Sequence, residues 1–229
     1  MEYVKTTMID SLFNAIAPHR CSSCDEIGAV LCESCKHNNI SDVFVGCVLC
    51  SRPCGRRGVC EQCGRGLDIT QAWCVGERRD ALKNLIDKYK FESSRAASGV
   101  CSDLLDTVVP QLQPDITVVA IPSAPSTVRA RGFDHMGRIA DDFAKRRSLL
   151  RASPLERASS VTLHFLPRSE RVRLGSSLFR LSGQQVPEKI LLLDDILTTG
   201  TTLSAAVALL KRAGARQVYI AVLARQPED

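Results

Sequence analysis

The chain has 229 residues, 45% of them hydrophobic and 24% charged, with 30 Lys and Arg against 25 Asp and Glu for a formal charge of +5. That length allows one or two domains, and the apolar share is enough to fill a core, which excludes wholesale disorder. No run of about 18 apolar residues occurs, which argues against a membrane-spanning helix, and Glu2, Lys5 and Asp10 argue against a secretory signal, so a cytoplasmic location without membrane insertion is expected.

In chain order, Leu12, Phe13 and Ile16 stand at spacings of three and four and predict a short amphipathic helix ending near Pro18. From Cys21 to about Asp68 the chain is rich in Cys, Gly and Ser and has too few apolar residues to fold unaided. Nine of the eleven cysteines lie between Cys21 and Cys63, and a reducing compartment makes such a cluster a metal site rather than a disulfide framework. Four C-x-x-C knuckles follow one another: Cys21/Cys24, Cys32/Cys35, Cys47/Cys50 and Cys60/Cys63. A two-residue gap turns both sulfurs toward one ion, and two knuckles complete the tetrahedral sulfur shell that zinc prefers. A redox pair or buried free thiols would account for one knuckle but not for four. The short gap between Cys24 and Cys32 favours sequential pairing, with one site from the first four cysteines and another from the last four. A cross-braced pairing stays open, as does replacement of a ligand by Cys54. A four-thiolate shell has no open position, so one or two zinc ions are expected to be structural. Residues 1–70 carry seven basic and eight acidic side chains, which does not suit a DNA-reading role for this segment.

The texture changes near residue 71, the expected boundary between an N-terminal helix and cysteine module at 1–70 and a second domain at 71–229. Leu82, Leu85, Ile86 and Tyr89 predict an amphipathic helix, and Leu104, Leu105, Val108 and Val109 predict another, stopped by Pro110. Thr117–Ile121 is a β-branched run bounded by prolines and reads as a buried strand. Ile139, Ala140 and Phe143 indicate a further helix. Strands at 189–195 and 217–224 flank a helix at 204–212 closed by Gly214, so the domain is α/β with a largely parallel sheet and helical crossovers. Between 129 and 180, twelve Lys and Arg face five Asp and Glu, so the basic character belongs to one segment.

The sharpest feature is an apolar strand that ends in Asp194 and Asp195 and turns through Thr198, Thr199, Gly200, Thr201 and Thr202 into a helix. Ligands of parallel sheets bind at the carboxyl ends of the strands. Gly200 permits close backbone approach, and the surrounding amides with the helix N-terminus form a phosphate cradle. The two acids would repel a phosphate, so their targets are sugar hydroxyls or a magnesium ion between sugar and phosphates. A nucleotide triphosphatase would need a G-x-x-x-x-G-K-[ST] loop, which the chain lacks. A flavodoxin-like receiver would not need four threonines around one glycine, and a simple helix cap would not need two acids.

The stretch Asp194–Thr202 resembles the phosphoribosyl pyrophosphate (PRPP) loop of type I phosphoribosyltransferases. With the cysteine knuckles and the run Arg129-Ala-Arg-Gly-Phe-Asp134, the chain resembles the ComF family of competence-associated, phosphoribosyltransferase-like proteins along nearly its whole length. The resemblance implies a parallel sheet flanked by helices, with a small N-terminal Cys-rich zinc ribbon. It implies that Asp194 and Asp195 bind the ribose hydroxyls, that Thr198 to Thr202 hold the 5′-phosphate, and that Pro122, Ser123 and Ala124 meet the pyrophosphate. Magnesium would accompany PRPP, and Arg129, Arg131 and Arg171 are candidates for the leaving group. Where the family has Asn-Gln after Gly-Phe, this chain has Asp134-His135. The segment expected to close over the reacting carbon has Leu163 and Leu174 at positions that are polar in the family. His135 and His164 are the candidate bases, although a lone His is more often a surface or packing residue. The implied activity is phosphoribosyl transfer to an unknown acceptor with pyrophosphate release, linked to DNA uptake. The alternative is a non-catalytic PRPP-binding factor that contacts single-stranded DNA or competence proteins, with the basic segment 129–180 as its surface.

Overall fold

The computed structural model describes residues 18–40, 44–91, 95–158 and 178–227. The expected helix at 12–16 and the segment with Leu163, Arg171 and Leu174 lie outside the described residues. Helices α1 (Glu33–Ile40) and α2 (Glu61–Gly64) belong to the cysteine-rich segment. They precede β1 (Gln71–Glu77), α3 (Asp80–Phe91), α4 (Arg95–Val108), β2 (Thr117–Ala120), α5 (Pro125–Arg131) and α6 (His135–Arg147). Strands β3 (Leu150–Ala152), β4 (Leu155–Arg157), β5 (Phe179–Leu181) and β6 (Lys189–Leu197) follow, then α7 (Thr201–Arg212) and β7 (Gln217–Arg225).

Five strands form a parallel sheet in the order β1-β7-β6-β2-β3, and β4 pairs antiparallel with β5 in a separate two-stranded sheet. The central strands are covered on both faces, which is why β2 and the start of β6 read as unbroken apolar runs rather than as alternating ones. Successive side chains still point to opposite faces. Leu191 and Leu193 pack with α3, α4 and α6, whereas Ile190 and Leu192 pack with α7 and the β4–β5 pair.

The cysteine segment resolves its shortage of core by joining both layers. Cys21, Val30, Leu31 and Cys35 lie in the layer of α3 and α4, while Cys47, Val48, Val59 and Ile69 lie in the layer of α7 on the other face. Arg225 at the end of β7 is 2% exposed and fastens the Cys47–Cys50 knuckle to the sheet. Its Nη1 donates to the Val48 carbonyl at 2.7 Å, and its Nε donates to the Ser51 hydroxyl.

The predicted helices and strands of the domain all occur; β6, α7 and β7 run longer than expected, whereas β2 ends one residue early at Ala120. The helix expected at 204–212 begins at Thr201, so Thr201 and Thr202 form its first turn. Sequence reasoning passed over β1, α5 and the three-residue strands β3, β4 and β5. Among the described residues no helix is long and apolar enough to cross a membrane.

Candidate functional site

A cavity of about 470 Å³ opens at the carboxyl ends of β1, β2, β6 and β7. Pro122, Ser123 and Ala124 after β2 form one side, and Asp194, Asp195 and Thr198 to Thr202 form the other. The two segments read from the sequence as PRPP contacts therefore line a single crevice. Gly200 takes φ +71° and occupies the N-cap of α7, and no side chain caps the helix there. Thr199 and Thr201 meet through their hydroxyls at 3.0 Å. A helix N-terminus without a side-chain cap and with hydroxyls around it suits a phosphate.

The acids occupy unlike environments because strand alternation sends them to opposite faces. Asp195 shares the parity of Leu191 and Leu193 and meets the helical layer. Its Oδ2 accepts from Lys90 Nζ at 2.7 Å and from His135 Nε2 at 2.5 Å, and its Oδ1 accepts from the Ile196 amide at 2.5 Å. Burial opposes its charge, but Lys90 and His135 outweigh burial and hold the carboxyl well below the usual range. Asp194 shares the parity of Ile190 and Leu192 and looks toward the other layer. Burial and the neighbouring Asp195 charge push it up to about 8, so it carries a proton at neutral pH. Its Oδ1 accepts from the Asp195 amide at 3.0 Å.

Cations surround the crevice. Arg131 lines it, whereas Arg129, on the same short helix, is exposed and lies outside the wall; Arg171 lies outside the described residues. Three further cations line the cavity that sequence reading did not single out: Arg78, Lys90 and Arg157. Arg78 follows β1 and pairs with Asp87 at 2.6 Å. Arg157 projects from β4 with its guanidinium 5.2 Å from the Phe179 ring centroid, and its Nε is buried without a hydrogen-bond partner. Burial lowers its pKa while the Asp194 carboxyl opposes that effect. An orphaned guanidinium donor beside a cavity is what an anionic ligand would satisfy. No local motif marks these residues, since the crossovers bring them together from distant parts of the chain.

The cysteines form two sets, Cys21/Cys24/Cys32/Cys35 and Cys47/Cys50/Cys60/Cys63, each with its sulfurs within 4.8 Å of one another. The pairing is therefore sequential, and Cys54 stands outside both sets. Cys24 and Cys32 Sγ lie 3.7 Å apart, and Cys50 and Cys60 Sγ 3.6 Å. A tetrahedral shell with Zn–S of about 2.3 Å spaces its sulfurs about 3.8 Å apart, so the donor set fits zinc. Cys21 Sγ accepts from the amides of Cys32 at 3.4 Å and Ser23 at 3.5 Å. Burial works against its thiolate, yet the backbone donors bring the thiol down to about 6. The second set lies next to the threonine loop. A Cβ built on Gly200 would stand 3.3 Å from Leu49 Cδ2, inside the Cys47–Cys50 knuckle.

Residues 139–229 match the phosphoribosyl transferase domain family. The chain is 29% identical over 209 residues to competence protein ComFC of Streptococcus pneumoniae, covering 90% of this chain and 87% of that protein. It is 36% identical over 103 residues to the adenine phosphoribosyltransferase of Kineococcus radiotolerans, covering 44% of this chain and 53% of that one. Among solved structures it resembles an allosteric regulatory enzyme of purine biosynthesis with a TM-score of 0.40 and 18% identity, over 56% of this chain and 25% of that chain. A hypoxanthine phosphoribosyltransferase of Staphylococcus aureus gives 0.35 and 18%, over 57% and 63%.

Proposed function

We propose, from its similarity to ComFC and its match to the phosphoribosyl transferase domain, that the chain is a ComF-type protein whose cavity binds PRPP with magnesium and transfers its phosphoribosyl group to an acceptor, releasing pyrophosphate. The observation that carries this reading is the crevice at the strand ends, where the threonine cradle, two carboxyls and four cationic side chains converge. Thr198 to Thr202 and the start of α7 would hold the 5′-phosphate, and Asp194 and Asp195 the ribose hydroxyls. Arg131 and Arg157 are suited to the pyrophosphate, whose growing charge needs fixed cations in a site closed to water. Magnesium enters as part of the substrate and neutralises the leaving group. Two zinc ions would hold segment 1–70 against the domain at 71–229 without entering the chemistry. A cytoplasmic setting and a role in DNA uptake follow from the family and belong to the same proposal.

Pyrophosphate release from Mg·PRPP, followed across a panel of bases and amines, tests the transferase. Release that depends on one acceptor class is the expected result. Tight PRPP binding with no release for any acceptor would overturn transfer and leave the accessory PRPP-binding reading, which the leucines at 163 and 174 favour.

A further inference from the structure

The sheet order puts two parts of the cavity wall on opposite sides of β6. Strand β2, whose loop supplies Pro122, Ser123 and Ala124, lies on one side; β7, with β1 beyond it, lies on the other. Arg78 follows β1, Gln226 follows β7, and both line the cavity. Their backbones are tied to the strand ends: the Arg78 amide donates to the Arg225 carbonyl at 2.7 Å, and the Gln226 amide donates to the Leu197 carbonyl at 2.8 Å. Arg78 Nη1 donates to Gln226 Oε1 at 3.3 Å, Nη2 donates to Asp87 Oδ1 at 2.6 Å, and Nε is buried without a partner. A guanidinium only donates, so the Gln226 oxygen faces it and the Gln226 NH2 remains as a second donor. This part of the wall therefore offers donors beside the apolar side chain of Ile196. Asp87 already balances the guanidinium charge, so a neutral oxygen suits these donors better than an anionic one.

We propose that Arg78 and Gln226 select the acceptor of phosphoribosyl transfer by donating to a neutral carbonyl oxygen on it, and that the acceptor is a cyclic amide whose ring nitrogen attacks C1 of the ribose. The inference rests on the PRPP reading of the same cavity. Displacement at C1 brings the acceptor in on the side away from the departing group. With pyrophosphate held by the β2 loop and Arg131, that side is over the ends of β7 and β1, where Arg78 and Gln226 stand. The ring nitrogen's electron pair forms the new bond to C1, the C1–O bond to pyrophosphate breaks with its electrons leaving on pyrophosphate, and the nitrogen's proton passes to water. A ring fixes its carbonyl oxygen relative to its nitrogen, so donors that hold the oxygen also aim the nitrogen; an alkyl amine or an alcohol has no such oxygen. An acceptor without the carbonyl would leave buried donors unpaired and is rejected on that account.

The test uses the full chain with Mg·PRPP. Hypoxanthine and uracil serve as ring acceptors with a carbonyl, adenine and benzimidazole as ring acceptors without one. Pyrophosphate release gives kcat and KM for each, and PRPP affinity is measured separately by calorimetry. The parent is expected to use the carbonyl acceptors about tenfold or more better in kcat/KM, the scale of a hydrogen bond from a charged donor. Arg78→Met should abolish that preference by raising KM for hypoxanthine and uracil, with PRPP affinity within about threefold of the parent. Gln226→Leu should reduce the preference in part. Asp87 keeps Lys83 at 3.2 Å, so Arg78→Met leaves no carboxylate alone and the variant should fold. Equal or better use of adenine and benzimidazole by the parent overturns the carbonyl assignment, as does an unchanged preference in Arg78→Met. A loss of PRPP affinity in Arg78→Met that matches the loss of rate also overturns it, by placing Arg78 on the phosphates of PRPP, and leaves the PRPP reading standing. PRPP binding without release for any acceptor overturns transfer and this inference together; failure of the parent to bind PRPP overturns the PRPP reading itself.

Discussion

Asp194 and Asp195 are neighbours of the same residue type, yet one is held neutral and the other charged. The cause is the two-residue period of a strand covered on both faces: Asp195 reaches Lys90 and His135, while Asp194 is buried beside a charge of its own sign. The consequences for stability run in opposite directions. Asp194 is raised from 3.8 to about 8, so the folded chain keeps its proton more firmly than the unfolded chain does. Its contribution is fully present below about pH 4 and is lost as the pH climbs toward 8. Asp195 is depressed, and its contribution is present above the ordinary carboxylate range and lost on acidification. Asp194→Asn imitates the neutral acid at every pH. Melting curves of the free protein should therefore show Asp194→Asn gaining on the parent between pH 5 and pH 8. A difference that stays flat across that range would contradict the assignment. The adjacent acids and the threonines announced themselves in the sequence because they are contiguous. Their unequal charge did not, because it depends on Lys90 and His135, which are far away along the chain.

The site is positioned by elements that differ in how visible they are before folding. Strand β6 and helix α7 follow directly from composition, as a long apolar run, a glycine turn and an amphipathic segment. Strand β1 leaves little trace in the sequence because Gln71–Glu77 has a Cys at its centre, a Gly near its end and no β-branched run. Strands β3, β4 and β5 span three residues each, too few for any period to register, and β4 carries Arg157. The least foreseeable feature is the Cys47–Cys50 knuckle beneath the threonine loop. Leu49 packs against Gly200, and Arg225 ties Val48 and Ser51 to the end of β7. Half-buried Leu49 should cost about 1–2 kcal/mol of stability when cut to Ala, at the low end for such truncations. The same change should weaken PRPP binding several-fold, because the cradle loses its backing. Gly200→Ala places a side chain at φ +71° and brings its Cβ against Leu49, so it should lose PRPP binding more severely. Calorimetry on the two variants checks this, and unchanged PRPP affinity in Leu49→Ala would separate the knuckle from the loop.

At the scale of the molecule, the cysteine-rich segment joins the cores on both faces of the sheet, one Cys set in each layer. Composition announced a part that could not fold alone; the sheet supplies what it lacks. Charge takes on a different meaning as well. Two four-thiolate zinc sites would lower the formal +5 to about +1, so the excess of positive charge would be concentrated in the sequence segment 129–180. Native mass spectrometry should give two zinc ions per chain. Stripping both with a strong chelator should remove the cooperative melting transition, since each face then loses part of its core. A chain that sheds both ions and melts as before would show that the metal sites are accessory.

The crevice between the β2 loop and the threonine loop is proposed as a PRPP site. The measurement that meets it most directly is titration calorimetry of Mg·PRPP against the parent chain and against Asp194→Asn combined with Asp195→Asn. Saturable one-to-one binding is expected for the parent and none for the double variant, which remains folded by circular dichroism. Equal binding by both would contradict it.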